Sequence, residues 1–174
     1  VQAFCELILG GARSGKSTLA EQRALGSGLE RMYIATATGD DEEMSARINH
    51  HQQRRDAGWE LIEAPLHLAE TLLRHHAMKR CIVVDCLTLW LSNCLHHDCW
   101  EQQQHALFAA LPQLSGHIVL VSNETGLGVV PMGEISRRFV DAAGFLHQRL
   151  ATLCQQVTLT VAGLPMTLKS RQEQ

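Results

Sequence analysis

The sequence carries no excess of positive charge. Its 15 Lys and Arg stand against 18 Asp and Glu, a formal net charge of −3 with histidine neutral. That balance lacks the electrostatic footprint of a nucleic-acid-binding surface, so no nucleic-acid partner is expected and phosphate recognition must come from a local site. No apolar run is long enough to span a bilayer, and no charged segment leads into an apolar one in the manner of a secretory signal. Six cysteines are present, Cys5, Cys81, Cys86, Cys94, Cys99 and Cys154, but none form a C-x-x-C pair. Without a secretory signal a disulfide framework is not expected. The expectation is a cytoplasmic protein with reduced, mostly buried thiols. Repeats, low-complexity tracts and linkers are missing as well.

What is there suits one compact α/β domain over residues 1–174, with 45% hydrophobic and 19% charged residues. Short apolar runs of buried-strand length occur at Phe4–Leu9, Met32–Ala35, Cys81–Val84, Ile118–Val121 and Val157–Val161. Between them apolar residues recur at helical spacing, as in Leu66–Leu73 and Phe139–Leu153. Such alternation predicts right-handed crossovers and a mainly parallel sheet with helices on both faces.

The first run leads into Gly10-Gly11-Ala12-Arg13-Ser14-Gly15-Lys16-Ser17, a match to G-x-x-x-x-G-K-[ST]. Glycines at these places let successive backbone N–H groups turn inward onto phosphate oxygens. The helix that follows adds the positive end of its dipole. Lys16 is placed to reach the β- and γ-phosphates, and the Ser17 hydroxyl to bind Mg²⁺. Chance produces such a match in a chain of this length on the order of once in a hundred, with glycine at about 7% of average composition. The strand before the loop and the helix-forming Ser17-Thr-Leu-Ala-Glu after it make chance a poorer account still. Cys81-Ile-Val-Val-Asp85 is a buried strand ending in an acid, a form suited to holding the Mg²⁺ shell. Apolar strands also end in Asp for turn reasons, and the adjoining phosphate loop favours the metal role.

Residues Asp40–Asp56 read DDEEMSARINHHQQRRD, acidic first and basic last, as the helix dipole prefers. Arg47, His51 and Arg55 share one helical face, with His50 and Arg54 on a neighbouring stripe. Arginines around an imidazole offer bidentate donors to phosphate and disfavour imidazolium, leaving a neutral nitrogen able to attack phosphorus. A solvated, salt-bridged helix explains the same pattern, and spacing does not separate His50 from His51. The pairs His75-His76 and His96-His97 lack the ligand spacing of a zinc site.

Five blocks then resemble the bifunctional adenosylcobinamide kinase/adenosylcobinamide-phosphate guanylyltransferase family. They are GGARSGKS at Gly10–Ser17, YIATA at Tyr33–Ala37, DEEMSARINHHQQRR at Asp41–Arg55, DCLTLWLSN at Asp85–Asn93 and SNETGLGVVP at Ser122–Pro131. Arg138-Phe139, Asp141, Gly144, Gln148-Arg149-Leu150-Ala151 and Gly163-Leu164-Pro165 extend the likeness along nearly the whole chain. The resemblance implies a P-loop, RecA-like α/β fold and a homo-oligomer, a trimer. It implies phosphorylation of the adenosylcobinamide hydroxyl by ATP or GTP. Transfer of GMP from GTP to adenosylcobinamide-phosphate follows, through a GMP–histidine intermediate. The family pattern R-I-x-x-H places that nucleophile on His51, since Arg47 and Ile48 match its first two positions. Gln52, Gln53, Arg54, Arg55, Ala35, Thr36 and Ala37 match nucleotide-contacting positions, and Glu63 and Asp85 match acids of the nucleotide site. His147 departs from the family, which often has Asn there, and some positions after His51 are Gln where Arg is frequent.

Two other readings remain open on the residues alone. One is a P-loop kinase of another small hydroxyl substrate, with no covalent intermediate. The other is a nucleotide-dependent switch, against which the lack of an N-K-x-D guanine motif counts.

Overall fold

A computed structural model describes residues 2–37 and 58–170. The expected helix over 40–56, with Arg47, His50, His51, Gln52, Gln53, Arg54 and Arg55, lies outside the described residues.

All five apolar runs form strands. They are β1 (Phe4–Gly10), β2 (Glu30–Ala35), β4 (Arg80–Asp85), β5 (His117–Asn123) and β6 (Gln156–Val161), joined by β3 (Trp59–Glu63) and β7 (Leu164–Lys169). The sheet order is β3-β2-β4-β5-β1-β6-β7. Every neighbouring pair is parallel except β6–β7. The described α-helices are α1 (Lys16–Gly26), α2 (Leu68–His75), α3 (Leu87–His96), α4 (Trp100–Ala110) and α5 (Glu134–Leu153). Two of these correct the periodicity. The second starts and ends two residues later than Leu66–Leu73, and the last begins five residues before Phe139.

The central strands are buried on both faces, so their side chains alternate between two apolar clusters. Met32, Ile34, Ile82, Val84, Ile118 and Leu120 pack on one face against α2 to α5, through residues such as Leu72, Trp90, Leu107 and Leu150. Ile8, Tyr33, Val83, Val119 and Val121 pack on the other, against Ala20 and Ala24 of α1. Helices therefore cover both faces, as the alternation predicts. Trp90 anchors the larger cluster, with its ring edge-on to Trp100 and its indole N–H donating to Leu66 O at 2.8 Å. Five of the six cysteines are buried, and Cys99 is half-buried.

Two strands are absent from the sequence expectation because neither is an apolar run. In β3 polar and apolar residues mix at the sheet edge. The other, β7, is exposed along its whole length. It arises by a hairpin whose two turn residues, Ala162 (φ 52°) and Gly163 (φ 78°), take the positive φ that such two-residue turns require.

Candidate nucleotide site

Parallel strands deliver their C-terminal ends to one edge, where loops gather and ligands bind. Register shows which residues meet there. Ala35 stands opposite Glu63 on one side and Asp85 on the other. Asp85 faces Val121, while Leu9 and Gly10 face Ser122 and Asn123. The phosphate loop, the acid of β4 and the end of β5 are thus neighbours.

The loop follows from its glycines. Gly15 sits at φ 95° as the N-cap of α1, a left-handed conformation that glycine adopts without strain. Any side chain on Gly10 would lie 2.5 Å from both Ser14 Oγ and Thr160 O, so only glycine fits where β1 ends. Gly163 N donates to Ser14 O at 2.9 Å, so the β6–β7 hairpin braces the loop from outside. Lys16 is buried and folds across the loop, its Nζ donating to Gly11 O at 2.5 Å and to Ser14 Oγ at 3.5 Å. Burial lowers its pKa, and the carboxylate of Asp85 and the thiol of Cys86 pull it back up.

Ser17 Oγ donates to Asp85 Oδ2 at 2.6 Å, and Tyr33 OH donates to the same oxygen at 2.7 Å. The hydroxyl and the carboxylate named from sequence as metal ligands therefore converge on one point beside Lys16. Two hard oxygen donors, with phosphate oxygens completing the shell, are the chemistry Mg²⁺ takes. Glu63 lies on the far side of β2, exposed at the sheet edge.

Ala35, Thr36 and Ala37 are all buried. The Thr36 hydroxyl donates to Cys86 O at 2.7 Å and accepts from Cys86 N at 2.9 Å, so it is engaged within the fold. What this stretch offers a ligand is backbone. Asn93 of α3 holds it in place, its Nδ2 donating to Thr36 O at 2.8 Å and to Pro65 O at 3.1 Å.

Sequence reasoning assigned no role to Tyr33, Asn93, Ser122, Glu124 or His147. All five fall within or beside the blocks of the resemblance, but their roles are tertiary. Glu124 N donates to Gly10 O at 2.9 Å, which places this acid beside the start of the phosphate loop. Ser122 Oγ and His147 Nε2 are 2.7 Å apart in the buried layer behind it. His147 Nδ1 lies 3.9 Å from Glu124 Oε2. Burial holds the pKa of His147 below the usual imidazole value, opposed by the Glu124 carboxylate.

The fold is found in known proteins. The flagellar accessory protein FlaH from Methanocaldococcus jannaschii superposes with a TM-score of 0.55 at 16% identity, covering 97% of this chain and 79% of that one. The KaiC-like protein PH0186 from Pyrococcus horikoshii superposes with a TM-score of 0.52 at 13% identity, covering 91% of this chain and 71% of that one. These likenesses show the P-loop NTPase fold and no more. In sequence the chain is 58% identical over 167 residues to the bifunctional adenosylcobalamin biosynthesis protein CobP of Pseudomonas aeruginosa, covering 94% of this chain and 96% of the relative. It is 36% identical over 179 residues to the bifunctional adenosylcobalamin biosynthesis protein CobU of Salmonella typhimurium, covering 94% of this chain and 98% of the relative. With residues 6–168 matching the family model described as cobinamide kinase/cobinamide phosphate guanyltransferase, the chain belongs to that family.

Proposed function

We propose that residues 1–174 act as one domain carrying both activities of the family on adenosylcobinamide and adenosylcobinamide-phosphate. The observation that carries this reading is the convergence of Lys16, Ser17 and Asp85 at the mouth of the phosphate loop, where a triphosphate and its cation can be held together. In the first reaction the acceptor hydroxyl oxygen bonds to the γ-phosphorus of ATP or GTP, and the bond to the departing diphosphate breaks. Backbone N–H groups of Gly11–Ser17 and the Lys16 ammonium hold the phosphates and their charge in line. Ser17 and Asp85 would hold Mg²⁺, which supplies positive charge to phosphate oxygens when bound.

In the second reaction His51 Nε2 or Nδ1 bonds to the α-phosphorus of GTP and pyrophosphate leaves. An oxygen of adenosylcobinamide-phosphate then attacks, the P–N bond breaks, and adenosylcobinamide-GDP forms. Gln52, Gln53, Arg54 and Arg55 are proposed nucleotide contacts beside that histidine, and Ala35, Thr36 and Ala37 contribute backbone. Asp85 is bound to Ser17 and Tyr33, and the exposed Glu63 is the acid proposed to accept from guanine N1 and N2.

Incubation with GTP labelled at the α-phosphate tests the intermediate. Label should become bound to the protein, acid-labile and alkali-stable, and peptide mapping should place it on His51. His51→Ala should abolish labelling while phosphorylation of adenosylcobinamide persists. Full labelling of His51→Ala, or label mapping to His50, removes the assignment.

A homo-oligomer, a trimer, is proposed as the working unit. Its support is the apolar surface left open on β7 and on the loop before α5, including Leu164, Met166, Leu168, Val129 and Met132.

A further inference from the structure

Phosphorylating an alcohol differs from transferring GMP to a phosphate in one respect. The alcohol must lose a proton, whereas the phosphate oxygen already bears charge. A carboxylate serving only the first reaction would stand near the γ-phosphate end of the phosphate loop, away from the acid that holds the metal. The sheet order selects the place. β5 lies between β1, which ends in the phosphate loop, and β4, which ends in Asp85. Whatever follows β5 therefore faces the space between them.

Glu124 follows β5 at that position. Its backbone N–H is tied to Gly10 O at 2.9 Å. Its Oε1 accepts from Gly126 N at 2.5 Å, so the carboxylate is turned and fixed rather than free to swing. Its Oε2 lies 3.9 Å from Nδ1 of His147, whose other ring nitrogen is bonded to Ser122 Oγ at 2.7 Å. Ser122 and His147 are buried, while Glu124 keeps about a fifth of its side chain (22%) exposed. A buried pair thus backs a carboxylate that still reaches solvent, on a residue whose backbone is tied to the start of the phosphate loop.

We propose that Glu124 is the base of the phosphorylation step, receiving the proton of the acceptor hydroxyl, and that His147, held by Ser122, is its positioning residue. This deepens the kinase half of the function above and rests on it. As the acceptor oxygen bonds to the γ-phosphorus and the diphosphate leaves, the hydroxyl proton passes to a Glu124 oxygen. The carboxylic acid so formed releases it to solvent. GMP transfer needs no such proton and is independent of Glu124.

The two half-reactions supply the test. Phosphorylation is measured with adenosylcobinamide and ATP, and GMP transfer separately with preformed adenosylcobinamide-phosphate and GTP. Glu124→Gln keeps size and hydrogen bonding but cannot take the proton. It should lower kcat of phosphorylation about 100-fold, the lower range for general-base catalysis. GMP transfer should stay within about threefold, since that step has no proton to remove. His147→Ala should lower kcat of phosphorylation about tenfold with little change in KM, as misplaced bases do, and His147→Asn, which can bridge the same groups, should restore most of it. Adding His147→Ala to Glu124→Gln should cost nothing further in that step, as expected of residues acting as a unit. Phosphorylation by Glu124→Gln at the wild-type rate, or a parallel fall in both half-reactions, overturns the proposal. Should His147→Ala fail to fold, Glu124→Gln and His147→Asn decide it alone. A wild-type protein that transfers GMP but phosphorylates nothing removes the kinase reading itself, and the base with it.

Discussion

A single carboxylate oxygen, Oδ2 of Asp85, receives both Ser17 and Tyr33 and so ties the phosphate loop to two strands. Residues of this kind carry their meaning in what they touch. His147 is the clearest case, because sequence marked it only as a departure from a pattern that often has Asn. Buried against Ser122 and Glu124, it binds a proton less readily than in the unfolded chain. The unfolded state then holds more protons over the interval between the two pKa values, and stability rises with pH there. The contribution is complete above the unfolded value of about 6.5 and declines as pH falls from there toward the folded one. Denaturant titrations at pH 7.5 and 5.5 should show the wild type losing up to about 1 kcal/mol more than His147→Asn. Equal losses in the two proteins would contradict a neutral buried imidazole.

Elements matter here through their ends. Helix α3 buries Leu87, Trp90, Leu91 and Cys94, and Trp90 and Asn93, three residues apart, both reach the stretch at Pro65 and Leu66. Asn93 on that helix grips Thr36 O and Pro65 O, the chain on either side of the segment containing His51. Asn93→Ala leaves the carbonyl oxygens of buried Thr36 and half-buried Pro65 without this donor, at a cost of about 1–3 kcal/mol. Because the loss falls beside the His51 segment, GMP transfer should drop at least about fivefold, the equivalent of about 1 kcal/mol, while binding of ATP to the phosphate loop is kept. Isothermal titration for binding and the separate half-reaction assays check this. Equal loss of both would mean that Asn93 supports the whole sheet edge rather than one segment.

At the scale of the whole molecule, the sheet ends in two strands with one neighbour each. Both β3 and β7 are edge strands, and β7 carries exposed Leu164, Met166 and Leu168, with a bulge at Leu168 in its pairing to β6. Exposed apolar edges invite pairing with another chain, and the bulge leaves Leu164–Thr167 in regular register with Val161–Thr158. Sedimentation velocity should find the wild type larger than a monomer, a trimer on the reading above. Met166→Lys combined with Leu168→Lys should shift it to smaller species with its helical circular dichroism intact. A wild type that sediments as a monomer at micromolar concentration would leave the apolar stripe without this explanation.

Much of this is legible in the amino-acid sequence. The five buried strands are, because full burial in a parallel sheet needs unbroken apolar runs. So is the phosphate loop, because its backbone conformation demands glycine at set positions, and Ser17 and Asp85, the proposed metal ligands, could be named from their places in the loop and at a strand end. The edge strands β3 and β7 are not, since an edge strand has no periodic burial to show. Nor is the Ser122–His147–Glu124 group, whose members come from a strand end, a helix interior and a loop. By itself the sequence determined a triphosphate cradle on an α/β sheet, because those features depend on residues close together along the chain. Only the tertiary structure decided which acid stands beside the loop, which threonine is already engaged and which histidine backs a carboxylate, because those relations depend on strand order and register across the sheet.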